Sequence, residues 1–508
     1  MQLRKLIRDS VGFAVTQYIV RAALMLRGVI GARMLGPQAY GAWNALTLIL
    51  DYGMFSTLGT QQGLDQAVPG RIVDGDATRL QRLKRAGLFN MAVSVGLFTA
   101  GVLAYFIQSQ GATRAFWGIR GVAATLACVV LTVLANYHLS IQRSHGDLRS
   151  VSGWFAIQGG LGTILGLSLI PACGAWGLLW GWLVSAVVAL AYARWKSPPT
   201  VPLMPRPSMD CIELLRVGFP MYLYLSASLL MRTIDRVVVL RFVGVEGLGY
   251  YSLGVMALTL LLYLPDSVAY VLYPHFLRRY HEGADLPEAI RETALRTVRV
   301  LTVAVAGLCG LTFLAAREAV VALLPSFIPG ATVVRVLCFG AAGLAVANLS
   351  SILLMTLGRQ LQLIPAALFL TTLGATLDYL VLRAGYGIDG VAWATFATYF
   401  LNGALMLWLA CAGLGLSPAK RLLELARCYV PITVSLLLAA GLSAYLRWHQ
   451  PEDLGARGVR LAFAILGFAL LYTAAVYPLV RGLGLRQIMI EIRAPLLGNG
   501  RRAPDAAV

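Results

Sequence analysis

Arginine recurs every sixth residue in the stretch 11–41, VGFAVTQYIVRAALMLRGVIGARMLGPQAYG, at Arg21, Arg27 and Arg33. The apolar part of this stretch, about 23 residues, is long enough to cross a bilayer. An arginine at mid-depth costs roughly 2.5–3.5 kcal/mol on insertion scales, so Arg21 and Arg27 are expected to face a wet cavity rather than lipid. The blander alternatives are that Arg27 snorkels to the interface or that either arginine packs against an acid. A second charged group, Arg232, Asp235 and Arg236, sits in LLMRTIDRVVVL. There Arg232 and Arg236 share a helix face at i,i+4, and Asp235 is placed at i+3 to orient Arg232. Further acids at depth are Asp51, Asp266 and Asp378. Four arginines against four aspartates permit pure internal pairing, which would only hold a bundle together. The preferred reading is that Arg21, Arg27, Arg232 and Arg236 bind an anionic guest. Guanidinium stays charged and offers a planar fork matched to phosphate oxygens. Asp51, Asp235, Asp266 and Asp378 are then counter-ions or cation-coupling acids.

The elements that must position these groups are transmembrane helices. With 508 residues, 58% of them hydrophobic and only 13% charged, the chain lacks the polar surface of a soluble fold. The pattern predicts an all-α integral membrane protein with fourteen helices, at 11–34, 40–63, 86–108, 117–141, 151–170, 174–195, 215–241, 247–276, 296–316, 331–357, 363–383, 388–412, 428–447 and 460–482. The first is too long for a secretory h-region and is read as retained; residues 1–9 form a basic amphipathic lead-in. The net charge of +19 is a topology signal, not a nucleic-acid footprint, because Lys and Arg concentrate on one set of loops. Both termini are accordingly expected in the cytoplasm. Seven cysteines stand singly and five histidines form no ligand pairing, so no metal site, disulfide or cofactor is expected, and each histidine is expected at an interface or loop.

Loops alternate in character. Outer connections at 35–39, 172–174 and 242–246 are short; inner ones at 64–85, 196–214 and 277–295 are longer and basic. Five prolines in 196–214 mark an extended linker. It divides an N-lobe (1–195, lead-in and six helices) from a C-lobe (215–412, six helices), followed by two helices in 413–482 and a cytoplasmic tail, 483–508. A repeat supports the division. Val11-Gly12-Phe13 recurs as Val217-Gly218-Phe219, Leu35-Gly36 with Tyr40-Gly41 as Val243-Gly244 with Leu248-Gly249, and GAWGLLWGW as GIDGVAWAT, each roughly 210 residues on. Copies in the same orientation imply a parallel repeat about an axis along the bilayer normal, with a site between lobes. Pro220, Pro365 and Pro431 are read as first-turn prolines, and Pro265 as a kink beside Asp266.

The spaced arginines of the first helix, the LGPQAYGAWNALT turn and the Asp235-Arg236 pair ahead of VGVEGLGYYSLG resemble the polysaccharide transporter and O-antigen flippase branch of the multidrug/oligosaccharidyl-lipid/polysaccharide exporter superfamily. The arginine spacing is also similar to that of lipid II flippases, in which case Arg21 and Arg27 contact diphosphate. Gly28 departs from that branch, which carries an acid there. The resemblance implies a non-enzymatic flippase of the bacterial inner membrane, moving an undecaprenyl-diphosphate-linked oligosaccharide by alternating access. Its partners would be that lipid-linked substrate, membrane lipids and a glycan polymerase, with no nucleic acid; the chain is expected to be a monomer. Competing readings are a drug or cation exporter of the same superfamily, which would want acids and aromatics in its cavity, and a membrane-embedded polymerase or ligase. The short outer segments, around 317–330 and 448–459, and the absence of GxxxxGK[ST] and GxSxG speak against an enzyme.

Overall fold

The structure, a computed structural model, describes residues 2–481 apart from 75, 109–111, 199–200, 203, 283–287 and 449–453. The side chains of the lead-in, the tail 483–508 and the side chains of His275, His281 and His449 lie outside the described residues. The elements are α1 (Gln2–Met54), α2 (Thr60–Asp74), α3 (Ala77–Gln108), α4 (Ala112–Ser144), α5 (Leu148–Phe155), α6 (Gly162–Cys173), α7 (Ala175–Lys196), α8 (Asp210–Phe242), α9 (Val245–Glu282), α10 (Glu288–Leu323), α11 (Ala331–Thr356), α12 (Leu363–Arg383), α13 (Gly387–Gly413), α14 (Pro418–Trp448) and α15 (Leu454–Arg481). Helices bond their own backbone groups, which is what a hydrocarbon solvent demands. Among the described residues twelve helical stretches are long and apolar enough to span a membrane, and they coincide with twelve of the fourteen predicted spans. The other two, 11–34 and 40–63, fall in α1 and α2. Polar content sets α1 apart: Arg21, Arg27 and Arg33 in its first half, Gln38, Asn44 and Asp51 in its second.

Several boundaries differ from the sequence reading, each for a local reason. The short connection at 35–39 is a single-residue break inside α1: Gly36 takes φ 75°, ψ 173°, a conformation closed to other residues, and Pro37 restarts the helix. The span 40–63 is not continuous, since α1 ends at Met54 and the chain turns through Leu58 and Gly59, both at positive φ. The predicted loop 64–85 is instead helical, formed by α2 and the start of α3; basic composition marked it as cytoplasmic but does not forbid a helix. The span 151–170 is divided by a π-helical turn, Ala156–Leu161, between α5 and α6. Pro220 and Pro431 lie inside α8 and α14, not in their first turns, because both helices begin earlier than the apolar run; Pro365 does sit in the first turn of α12. α9 runs on through Pro265 as one helix. His138 is buried within α4, its Nδ1 2.9 Å from Ser197 Oγ, so it is a packed core histidine.

One large group of buried apolar side chains joins α8 to α15, and a second joins α1 to α4 and α7 to the first turns of α9 and the ends of α10 and α11. The last two helices are tied to α10. Arg299 gives Nε and Nη2 to the Glu424 carboxylate, both at 2.6 Å, and Arg427 adds a third contact at 2.8 Å. Ser435 and the Tyr472 hydroxyl each donate to α10 carbonyls, of Ala306 and Val303.

Where α1 crosses α9 the approach is closer than any side chain permits. A Cβ on Gly41 would collide with the Val245 carbonyl oxygen, and one on Gly249 with that of Pro37. The two contacts are reciprocal, pairing positions that correspond in the sequence repeat. Phe327 covers this crossing, edge-on to Tyr40 at 6.0 Å and to Tyr250 at 6.1 Å, and is fully buried. At the opposite end Glu213 of α8 holds Arg71 of α2 and Arg79 of α3, each at 3.4 Å.

Candidate functional site

Successive arginines six apart on a helix are rotated by about 120°, so α1 aims its three in three directions. Arg33 is exposed. Arg21 lies over the Tyr263 ring of α9, 4.9 Å from its centroid. Arg27 is held between two indoles, 4.7 Å from Trp182 of α7 and 5.7 Å from Trp43 of α1. Aromatic faces satisfy the guanidinium plane and leave its N–H edge free. Beside it lies a cavity of about 210 Å³ between α1 and α9, bounded by Tyr40, Asn44, Thr47, Ser252 and Tyr263 among others. Arg27 lines this cavity, and its Nη1 is buried with no hydrogen-bond partner. A charged N–H buried without a partner is costly, and an anion drawn to this guanidinium would lower that cost.

Arg232 and Arg236 do not join Arg27. Arg232 lines a second cavity, of about 300 Å³, framed by Phe55, Tyr224, Ser228, Asn348, Ser351 and Asn402. Its Nη2 donates to Asn348 Oδ1 at 2.6 Å, and Asn348 Nδ2 donates to Asp266 Oδ1 at 2.8 Å. Asp266 is also within Coulombic reach of Arg21. Arg21 and Arg232 therefore approach one carboxylate from α1 and α8, with Asn348 of α11 relaying one side. Arg236 pairs with Asp51 at 3.7 Å, which ties α8 to α1.

The expectation that Asp235 orients Arg232 does not hold. Asp235 is buried, its Oδ1 accepts the Arg236 backbone N–H at 2.8 Å, and its Oδ2 accepts the Tyr251 hydroxyl at 2.7 Å. The i,i+3 spacing allowed the pair, but Tyr251 reaches the carboxylate first. Tyr251 also lies 3.1 Å from Thr395, whose hydroxyl reaches Asp378 at 3.5 Å. Two buried carboxylates from α8 and α12 are thus linked through two hydroxyls. Sequence reading missed Trp43, Trp182, Tyr263, Tyr251, Thr395 and Asn348. Asn348 carried a signal, an amide inside an apolar span; aromatic and hydroxyl residues are too common in helices to stand out.

The fold defines a class. An inward-facing multidrug resistance MATE family transporter of the MOP superfamily superposes with a TM-score of 0.67 at 15% identity, covering 79% of this chain and 98% of its own. Lipid II flippase MurJ, in an inward closed conformation, gives 0.69 at 12% identity, covering 92% and 99%. A MOP superfamily transporter from Pyrococcus furiosus, described as having a reversed binding-pocket polarity, gives 0.59 at 16%, covering 81% and 96%. The fold is that of these membrane transporters. In sequence, the family described as Polysaccharide biosynthesis protein matches residues 30–327, and the chain belongs to that family. No curated protein matches it in sequence.

Proposed function

We propose that this protein is a flippase, not an enzyme, which moves an undecaprenyl-diphosphate-linked oligosaccharide across the bacterial inner membrane, both of its termini being cytoplasmic. The observation that carries the reading is Arg27, set against two indoles beside a partly open cavity, with its Nη1 buried and without a hydrogen-bond partner. Diphosphate is the guest whose charge and fork geometry answer that edge. Arg21, Arg232 and Arg236 are the remaining contacts along the path, each now parked on an aromatic ring, an amide or Asp51. Their present partners leave a small energy difference between empty and loaded states, which is what repeated turnover requires. The lipid II flippase likeness adds support to a lipid-linked cargo.

In this scheme the reciprocal crossing of α1 and α9 is the outer seam between a six-helix N-lobe (1–195) and C-lobe (215–412), and Glu213 with Arg71 and Arg79 belongs to the inner seam. Rocking about these seams exposes Arg27 alternately. Asp235 and Asp378, joined by Tyr251 and Thr395, take up the coupling proton or sodium ion; Asp51 and Asp266 act as counter-ions. The protein works as a monomer beside a glycan polymerase.

The test has two parts. Lipids extracted from a deletion strain should contain an accumulated, inward-facing lipid-linked oligosaccharide. Alanine at Arg21, Arg27, Arg232 or Arg236 should abolish surface glycan with membrane insertion intact, and wild-type glycan from all four variants would end the proposal. Arg27→Lys should fail too, since ammonium cannot stack between Trp43 and Trp182.

A further inference from the structure

Beside the Arg27 cavity lies a second hollow of quite different chemistry. It measures about 190 Å³ and runs between α1, α9 and α10, walled by Met25, Val29, Leu253, Met256, Ala315 and Ala319. Thr312 supplies its lone hydroxyl. Met25, Met256 and Leu260 line both hollows, so one layer of side chains separates them. That layer is adaptable. Gly28 has no side chain, and Met256 Sδ fills the gap, 2.9 Å from where a Cβ would stand. Unbranched thioethers repack at little cost. Leu260 and Leu323, on the rim, are exposed on the bundle surface. Meanwhile Phe327 and the crossing of Gly41 and Gly249 close the end above Arg27.

We infer that this groove seats the apolar chain attached to the anion bound at Arg27, in the half of the membrane nearest Gly36. The assignment rests on the reading of Arg27 as the phosphate contact. A phosphate at the Arg27 edge has its attached chain one side-chain layer from a hollow with almost no polar wall, and the route passes over Met256. The closed roof leaves a lateral path between α1 and α10 as the way out to lipid. For a probe drawn from water, binding there removes apolar surface from water in proportion to chain length, so affinity must rise with each isoprene unit until the groove is full.

The experiment uses the purified full-length protein, with inorganic pyrophosphate, geranyl diphosphate and farnesyl diphosphate as probes, read by quenching of tryptophan fluorescence. Wild type should bind farnesyl diphosphate at least tenfold tighter than pyrophosphate. Ala315→Leu and Ala319→Phe should erase that gain while leaving pyrophosphate binding within threefold of wild type, which also shows that the variants fold. A benzophenone-tagged farnesyl diphosphate, used on unmodified protein in nanodiscs, should cross-link to α9 and α10, and excess pyrophosphate should compete it away. Persistence of the chain-length gain in both variants, or cross-links confined to other helices, overturns the inference. Cross-links that pyrophosphate does not displace would make the groove a seat for bilayer phospholipid and overturn it equally. Pyrophosphate binding that survives Arg27→Gln would instead defeat the phosphate reading, a separate outcome from failure of the groove.

Discussion

At the scale of single residues, the charged groups differ in how firmly they are held. Arg236 has Asp51, Arg232 has Asn348, and Arg27 has only aromatic faces. Arg27 is therefore the group best placed to gain by binding an anion, because little is given up when the ligand arrives. Asp235 and Asp378 stand apart from that chemistry, screened behind Tyr251 and Thr395. Asp378→Asn should abolish stimulation of transport by the coupling ion yet leave pyrophosphate binding unchanged. Thr395→Val, which breaks the hydroxyl link and keeps the carboxylate, should raise the ion concentration for half-stimulation about tenfold, the equivalent of roughly 1.4 kcal/mol. Ion-dependent flux in proteoliposomes, with binding measured in parallel, distinguishes this role from a structural one.

At the scale of elements, α1 and α9 approach backbone to backbone, a contact which the proposed rocking would have to open. Their crossing depends on Gly41 and Gly249, each facing the other helix's backbone, so the closed geometry leaves no room for a methyl group. Gly249→Val should disfavour this close approach while leaving each helix intact. The expected result is increased labelling by a membrane-impermeant thiol reagent of a cysteine placed at Tyr40, in an otherwise cysteine-free background. Labelling no higher than in the parent would show that the contact is not a gate. The break at Gly36 lies beside this contact, next to Pro37, whose carbonyl Gly249 approaches.

At the scale of the whole molecule, α14 and α15 are fastened to α10 by groups that cannot be lost singly. Glu424 is only 4% exposed and neutralises Arg299 through two short bonds, with Arg427 beside them. Removing one partner of a buried pair typically costs about 3–5 kcal/mol, because the other charge is left stranded. Glu424→Gln should accordingly lower Tm by several degrees in a detergent melt, whereas Arg427→Gln, at the more exposed partner, should change it little. Equal effects from both would mean that the carboxylate is not the fastening point.

Much of this was legible in the sequence. Hydrocarbon thickness and the ban on unpaired backbone groups fix helix length and number, so apolar run length found twelve of the spans directly. The cost of charge in lipid likewise marked Arg21, Arg27, Arg232, Arg236 and the four aspartates as residues that must face something polar. Partner choice was beyond it. Whether Asp235 meets Arg232 or Tyr251, and whether Arg27 and Arg232 share one cavity or line two, depends on rotations of packed helices that no local spacing encodes. Helix boundaries at 40–63 and 64–85 shifted for a related reason, since basic surface segments are helical or not according to what packs beneath them. One sequence sets which side chains need company; only the assembled bundle decides which company they keep, because that is settled by contacts between residues hundreds of positions apart.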